Sequence, residues 1–292
     1  MLFSQATSLL LMECQARNLS PNTTKFYKVV LTKCRGLLGD KKVASITALD
    51  LRRVLIAVPP SSARHYYVVL KRLFNFLVRE GEMKRNPAAG LRAPKAEKKV
   101  IQALSAVDVA KLLAAAKANV HRGHNALRDV AMITTLLATG PRCAELCDLR
   151  DSDVRLEEGV LLVHGKGNRQ RLVPLHSKLK PMLLRYTIHR DGSSVYDKKL
   201  DWFFRNRHGK KMQPLALSQM ISKCAERAGI KAHTHRLRHT FASQFMSNDG
   251  ADILSLQAIR GWADISMAQR YSHISMQKLQ RSMEAFSPVK DI

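Results

Sequence analysis

Residues 86–100, NPAAGLRAPKAEKKV, set the tightest limit on how this chain can fold. Pro87 and Pro94 each fix φ and lack an amide hydrogen, and Gly90 costs backbone entropy in any regular element. Arg92, Lys95, Lys98 and Lys99 add a run of like charge that repels itself toward an extended form. No helix or central strand can run through such a stretch, so it divides the 292 residues into two parts, each long enough for its own core. The reading is a domain over 1–90, a basic linker over 91–103 and a second domain over 104–292.

The first part reads as helical throughout. In LSPNTTKFYKVVLTKCRGLLG, Ser20 suits an N-cap and Pro21 the first helical position. Phe26, Val29, Val30 and Leu37 are expected to face a core, leaving Lys25, Lys28, Lys33 and Arg35 to solvent or phosphate. Thr47 with Asp50 three residues on is a capping-box variant, and the run it opens is stopped by Pro59 and Pro60. A long helix then places Tyr66, Val69, Leu70, Leu73, Phe74 and Leu77 at helical spacing, a core stripe.

Beyond the connector, SAVD at 105–108 caps a helix, and LRDVAMITTLLATG forms another that ends at Gly140. GVLLVHGKGNRQRLVPL is different in kind. Two β-rich runs, 160–164 and 171–175, flank GKGN, which predicts a β-hairpin with Lys166 at its tip. From about Leu215 onward the pattern is helical again. The fold class is therefore mainly α with a small β-hairpin or sheet, an α+β second domain joined to a helical first one.

Charge narrows the function. Forty-nine Lys and Arg against 23 Asp and Glu leave +26, a balance that favours a polyanionic partner. Residues 1–99 hold 19 basic against 6 acidic side chains and residues 100–292 hold 30 against 17, so each part carries +13. Both parts sharing the excess fits two sides of a clamp on a duplex better than a basic tail. Five cysteines, Cys14, Cys34, Cys143, Cys147 and Cys224, fall at irregular spacings and read as buried thiols rather than a zinc site. The opening MLFSQATSLLLMECQ lacks the basic start of a signal peptide, and no apolar run reaches membrane-spanning length. A cytoplasmic, nucleoid-associated protein without membrane contact is expected.

The densest chemistry lies in HTHRLRH, 233–239. Thr234 can cap a helix that carries His235, Arg238 and His239 on one face near the positive end of the dipole. A phosphate socket, a solvated basic face and a metal site all stay open, although two arginines oppose a cation. ATGPRCAEL sets Arg142 at a helix start with Glu145 one turn on, able to brace a neighbouring cation. GKGNRQR offers Lys166 and Arg169 on a turn. GWADISMAQRYSHIS supplies Trp262 and, nine residues later, Tyr271.

Together these segments resemble the tyrosine recombinases, the group of phage-type integrases, Cre and the Xer proteins. TGPRCAEL matches the family's T-G-x-R-x-x-E-L box with Arg142, GKGN its hairpin lysine with Lys166, and HRLR its H-x-x-R box with His235 and Arg238. RGW and YSH match the last box with Trp262 and Tyr271. Two departures stand out. Trp262 replaces the commoner histidine, as in the Cre branch, and Pro141 precedes Arg142. The N-terminal half is also similar, through LSPNTTKFY, FLVREGEMKRNPA and the lysine-rich connector.

The resemblance implies a core-binding helical domain, a catalytic domain and a metal-free, cofactor-free transfer of a DNA phosphodiester to Tyr271. Arg142, Arg238, His235 and Trp262 would cage the phosphate, Lys166 would protonate the departing 5′ oxygen, and Glu145 and His239 would support them. Lys25, Lys28, Arg64, Lys71, Arg72 and Arg169 are the candidate DNA contacts. A monomer off DNA would form a tetramer on two duplexes carrying a specific site and pass through a Holliday junction. A tail helix with Met276, Leu279, Met283 and Phe286 would reach a neighbouring subunit. The compact length favours an Xer-like or Cre-like system. The alternatives are a type IB topoisomerase, a rolling-circle relaxase, or a catalytically silent DNA-binding regulator of this fold.

Overall fold

In a computed structural model of the chain, the described residues are 1–95, 102–118, 124–165, 169–197, 199–248 and 251–269. The chain divides into two compact units, Met1–Lys99 and Val100–Ile292.

Among its described residues the first unit has four α-helices, α1 (Phe3–Ala16), α2 (Pro21–Leu38), α3 (Ala48–Ala57) and α4 (Pro60–Arg79), with a short 3-10 turn at Val43–Ser45. Local chemistry sets their starts. The Ser20 hydroxyl accepts from the Thr23 amide at 3.3 Å. Thr47 and Asp50 exchange two bonds, the Asp50 amide donating to Thr47 Oγ1 at 3.2 Å and the Thr47 amide donating to the carboxylate at 3.0 Å. Every residue of the expected α4 stripe is buried, and Phe3, Leu10, Leu31 and Leu51 from the other helices close on it.

The register of α2 differs from expectation. Phe26, Val29 and Leu37 are 41%, 59% and 45% exposed, and of the four expected core residues only Val30 is buried. The buried stripe is instead Tyr27, Val30, Leu31, Cys34 and Leu38. It runs one residue later, on spacings of three and four that keep one face of the helix inward.

The second unit comprises α5 (Ala106–Lys117), α6 (His124–Thr139), α7 (Cys143–Cys147), α8 (Lys180–Asp191), α9 (Pro214–Arg227), α10 (Thr234–Ser247), α11 (Ile253–Arg260) and α12 (Ser266–Gln269). Between α7 and α8 lies a three-stranded antiparallel sheet in the order β1 (Val154–Arg155), β2 (Val160–His164), β3 (Gln170–Pro174). The hairpin is as the sequence predicts, with β1 an addition too short to leave a sequence pattern. Leu161 and Val163 of β2 and Val173 of β3 enter the main core, and Arg171 on β3, paired with Val163, shares their face of the sheet and reaches α7 and α11 beyond it. Positions 166–168, with Lys166, and 270–292, with Tyr271 and the tail residues Met276, Leu279, Met283 and Phe286, lie outside the described residues.

Gly140 ends α6 at a positive φ of 59°, and a Cβ there would sit 2.4 Å from the Phe241 ring. Only glycine lets α6 pass so close to α10 before Pro141 turns the chain into α7. That crossing brings the Arg142 box to the Arg238 helix.

Candidate active site

α10 does not start as its sequence suggests. His233 rather than Thr234 is the N-cap, its Nδ1 accepting from the Arg236 amide at 3.3 Å. Thr234 becomes the first helical residue. His235 stays open to solvent, and Leu237 and Arg238 turn inward. Arg236 is used structurally, its Nε donating to the Gln102 carbonyl at 2.9 Å.

A cleft of about 320 Å³ opens over this turn, lined by Arg142, His235, Arg238, Arg260 and Trp262. Four residues from three separate motifs of the sequence thus meet in one place, joined by a fifth, Arg260, the first residue of RGW, to which the motif assigns no role. Among the described residues no group of three or more His, Cys, Asp or Glu side chains is placed to hold a metal ion.

The floor is built of guanidinium groups. Arg238 is 5% exposed, and it donates to the carbonyls of Gly140 and Arg260, the latter at 3.2 Å. Arg260, 2% exposed, returns the contact by donating to the Arg238 carbonyl at 2.5 Å. This reciprocal exchange of side chain and backbone locks α10 to the end of α11. Burial first, then Arg260 and Arg142, pull the Arg238 guanidinium down to about 9. Cations crowded in this way are stabilised by an incoming anion, which relieves both repulsion and desolvation.

One buried carboxylate offsets them. Glu145, 5% exposed, accepts from the Arg142 amide at 2.8 Å, from Arg142 Nη1 at 2.5 Å and from Arg171 Nη2 at 2.8 Å, with Arg238 Nη1 at 3.9 Å. Burial alone would push its carboxyl up. The bonds from Arg171 and Arg142 outweigh burial and hold it at about 2. Glu145 therefore orients Arg142, whose side chain is still half-exposed toward the cleft.

Partial burial, then His233, Arg260 and Arg238, keep the pKa of His235 below the ordinary histidine value. His239, one turn on, shares a hydrogen bond between Nδ1 and Ser243 Oγ at 3.1 Å, and burial with His235 and Arg260 lowers it too. Trp262 is buried at the wall in a small cluster with Phe241, Ala242, Leu256 and Ala268. The Arg260 guanidinium stacks over its ring at 4.6 Å. Cys143, at the cleft edge, is half-buried rather than buried as expected, whereas Cys14, Cys34, Cys147 and Cys224 are buried.

The other candidates lie apart from the cleft. Lys25 and Lys28 are exposed on α2 and Arg64 on α4, where its guanidinium reaches the Pro94 carbonyl at 3.4 Å. Lys71 and Arg72 are half-buried and border a concave surface on the first unit, with Arg72 over the Tyr27 ring at 5.4 Å. Arg169 is exposed immediately before β3. Arg171 and Arg260 escaped the motif reading. The one sequence signal is Gly261, which leaves room beside Arg171.

The helical second unit with its small antiparallel sheet defines a fold shared with several DNA-bound enzymes. A lambda integrase dimer bound to a COC′ core site superposes with a TM-score of 0.76 at 19% identity, over 91% of this chain and 97% of that one. The Tn1549 transposon integrase in complex with a circular intermediate DNA gives 0.79 at 19% identity, over 98% and 99%. The sequence profile of the phage integrase family matches residues 102–278. Tyrosine recombinase XerC of Alcanivorax borkumensis is 31% identical over 289 residues, 93% of this chain and 90% of that protein. Tyrosine recombinase XerD of Proteus mirabilis is 34% identical over 274 residues, 90% and 86%. The chain belongs to the phage integrase family, the tyrosine recombinases. Among the described residues no helix is long and apolar enough to cross a membrane.

Proposed function

We propose that this chain is a site-specific DNA recombinase that cleaves and rejoins duplex DNA through a 3′-phosphotyrosyl intermediate. The observation that carries this reading is the cleft itself, where Arg142, His235, Arg238 and Trp262 line one wall-and-floor arrangement around crowded cations. Arg142 and Arg238 hold the non-bridging oxygens of the scissile phosphate, and His235 and Trp262 complete the cage. The Tyr271 oxygen attacks phosphorus and the bond to the 5′ oxygen breaks. Lys166 supplies the proton to that leaving oxygen. The new ester conserves the bond energy, so attack by a 5′ hydroxyl in reverse restores the backbone without a cofactor. Glu145 and His239 support the cage. Two arginines supply the charge stabilisation that a metal gives elsewhere.

In this reading residues 1–90 are a core-binding domain, 91–103 a linker and 104–292 the catalytic domain. Lys25, Lys28, Arg64, Lys71, Arg72 and Arg169 contact DNA. Four protomers exchange two pairs of strands through a Holliday junction on the nucleoid, in integration, excision or resolution. The 13 excess positive charges on each part of the chain support such a two-sided grip.

The test is trapping on nicked suicide DNA bearing the host site. Wild type forms a covalent adduct in EDTA, and Tyr271→Phe forms none. No adduct with wild type, an equal adduct with the variant, or loss of the adduct in EDTA each refutes the reading.

A further inference from the structure

We infer that Arg171 is a positioning residue of this active site, a side chain that ties together three of its four sequence motifs. The inference rests on the recombinase reading and deepens it. Arg171 lies on β3, the strand that follows the GKGN segment in sequence. Its Nη2 donates to Glu145 at 2.8 Å, in the Arg142 motif. Its Nε donates at 2.7 Å to the Ile259 carbonyl, two residues before Gly261 and three before Trp262. The fork therefore spans from one motif to another while its backbone belongs to the third.

The fit is close on every side. The side chain is 11% exposed, so both bonds are made in a low-dielectric setting where geometry is held. A Cβ on Gly261 would lie 3.0 Å from Arg171 Cδ and Nη1. One on Gly165, just past β2, would lie 3.7 Å from Nη1, at ordinary contact distance. Gly261 caps α11 in the left-handed region at φ 62°, so the residue that ends α11 and aims Trp262 is also the residue that makes space for Arg171. Glycine at 261 lets the guanidinium pass beside the end of α11.

The electrostatic consequence falls on Glu145. Arg171 is the foremost group holding that carboxylate ionised against burial. Without it, Arg142 Nη1 at 2.5 Å and Arg238 Nη1 at 3.9 Å contend for the same carboxylate. Arg238 would be drawn off the Gly140 and Arg260 carbonyls, or Arg142 off the cleft. Arg171 thus fixes where the two phosphate-binding arginines stand, without lining the cleft itself. Only a planar fork has donors on two edges that meet a carboxylate and a carbonyl on different elements.

Arg171→Lys and Arg171→Ala, made in the full chain, test the inference by three readouts. Single-turnover adduct formation on suicide DNA falls about 10–100-fold in both, the scale for displaced positioning groups. Affinity for the uncut site stays near wild type, because the displaced arginines touch one phosphate among the many along the duplex that set affinity. Amide hydrogen exchange quickens together over 142–147 and 259–262 and is unchanged over 106–117. A wild-type cleavage rate for Arg171→Lys, a loss of rate matched by an equal loss of affinity, or unchanged exchange in both segments overturns the inference. Should wild type form no adduct, the recombinase reading fails, and the exchange arm still decides whether Arg171 ties the motifs together.

Discussion

Replacing Glu145 with Gln keeps the shape of the side chain and removes its charge, which isolates what the carboxylate contributes. In the folded chain its carboxyl is held at about 2, against an ordinary glutamate value of 4.5. At 1.36 kcal/mol for each tenfold change in proton affinity, this corresponds to about 3 kcal/mol of stability at neutral pH. The group is depressed, so its contribution is complete above the unfolded value and is lost as pH falls through the folded one. A gap of about 3 kcal/mol between wild type and Glu145→Gln at pH 7 should persist at pH 5. It should shrink to less than half of that near pH 3. Urea unfolding followed by tryptophan fluorescence measures it cleanly, since Trp202 and Trp262 are the chain's two tryptophans and both belong to the second unit. A gap that stays constant with pH, or one below about 1 kcal/mol at pH 7, refutes the account, because an exposed surface ion pair would give no more.

Two further predictions concern titration and packing. His235 should titrate below 6.5, since burial and the neighbouring His233, Arg260 and Arg238 favour the neutral ring. The unfolded chain then binds the proton more readily, and this residue withdraws stability as pH falls through 6.5. An imidazole midpoint by NMR at or above that value refutes the assignment. In α2, Leu31→Ala should cost about 2–5 kcal/mol and Val29→Ala less than about 1, by circular dichroism on denaturation. Equal costs would restore the earlier register.

What was legible in the sequence was whatever depends on local rules or on chemistry that permits few substitutes. The α4 stripe was plain because six large apolar residues recur on one face. The Ser20 and Thr47 caps were plain because a side-chain oxygen three residues before an orphan amide has one common use. The register of α2 was not, because Phe26, Val29 and Leu37 compete with Tyr27, Val30, Leu31 and Cys34 for the inward face at nearly the same period. Large side chains alone chose the wrong one. Phe26 spends part of its surface instead edge-on against His65 at 5.8 Å, a contact from α4 that no local pattern announces.

The same division runs through the active site. Arg142, His235, Arg238 and Trp262 were readable, since each sits in a short motif whose residue types suit phosphate. Arg171 and Arg260 looked like two more surface cations in a chain of 49 basic residues. Their roles come from partners that lie 26, 88 and 22 residues away, and the fold alone makes those neighbours. A buried arginine leaves its trace in what it displaces: Gly261 stands where a Cβ would crowd Arg171. Reading such a residue from sequence therefore means asking which side chain needs the space that a glycine beside a functional motif leaves open.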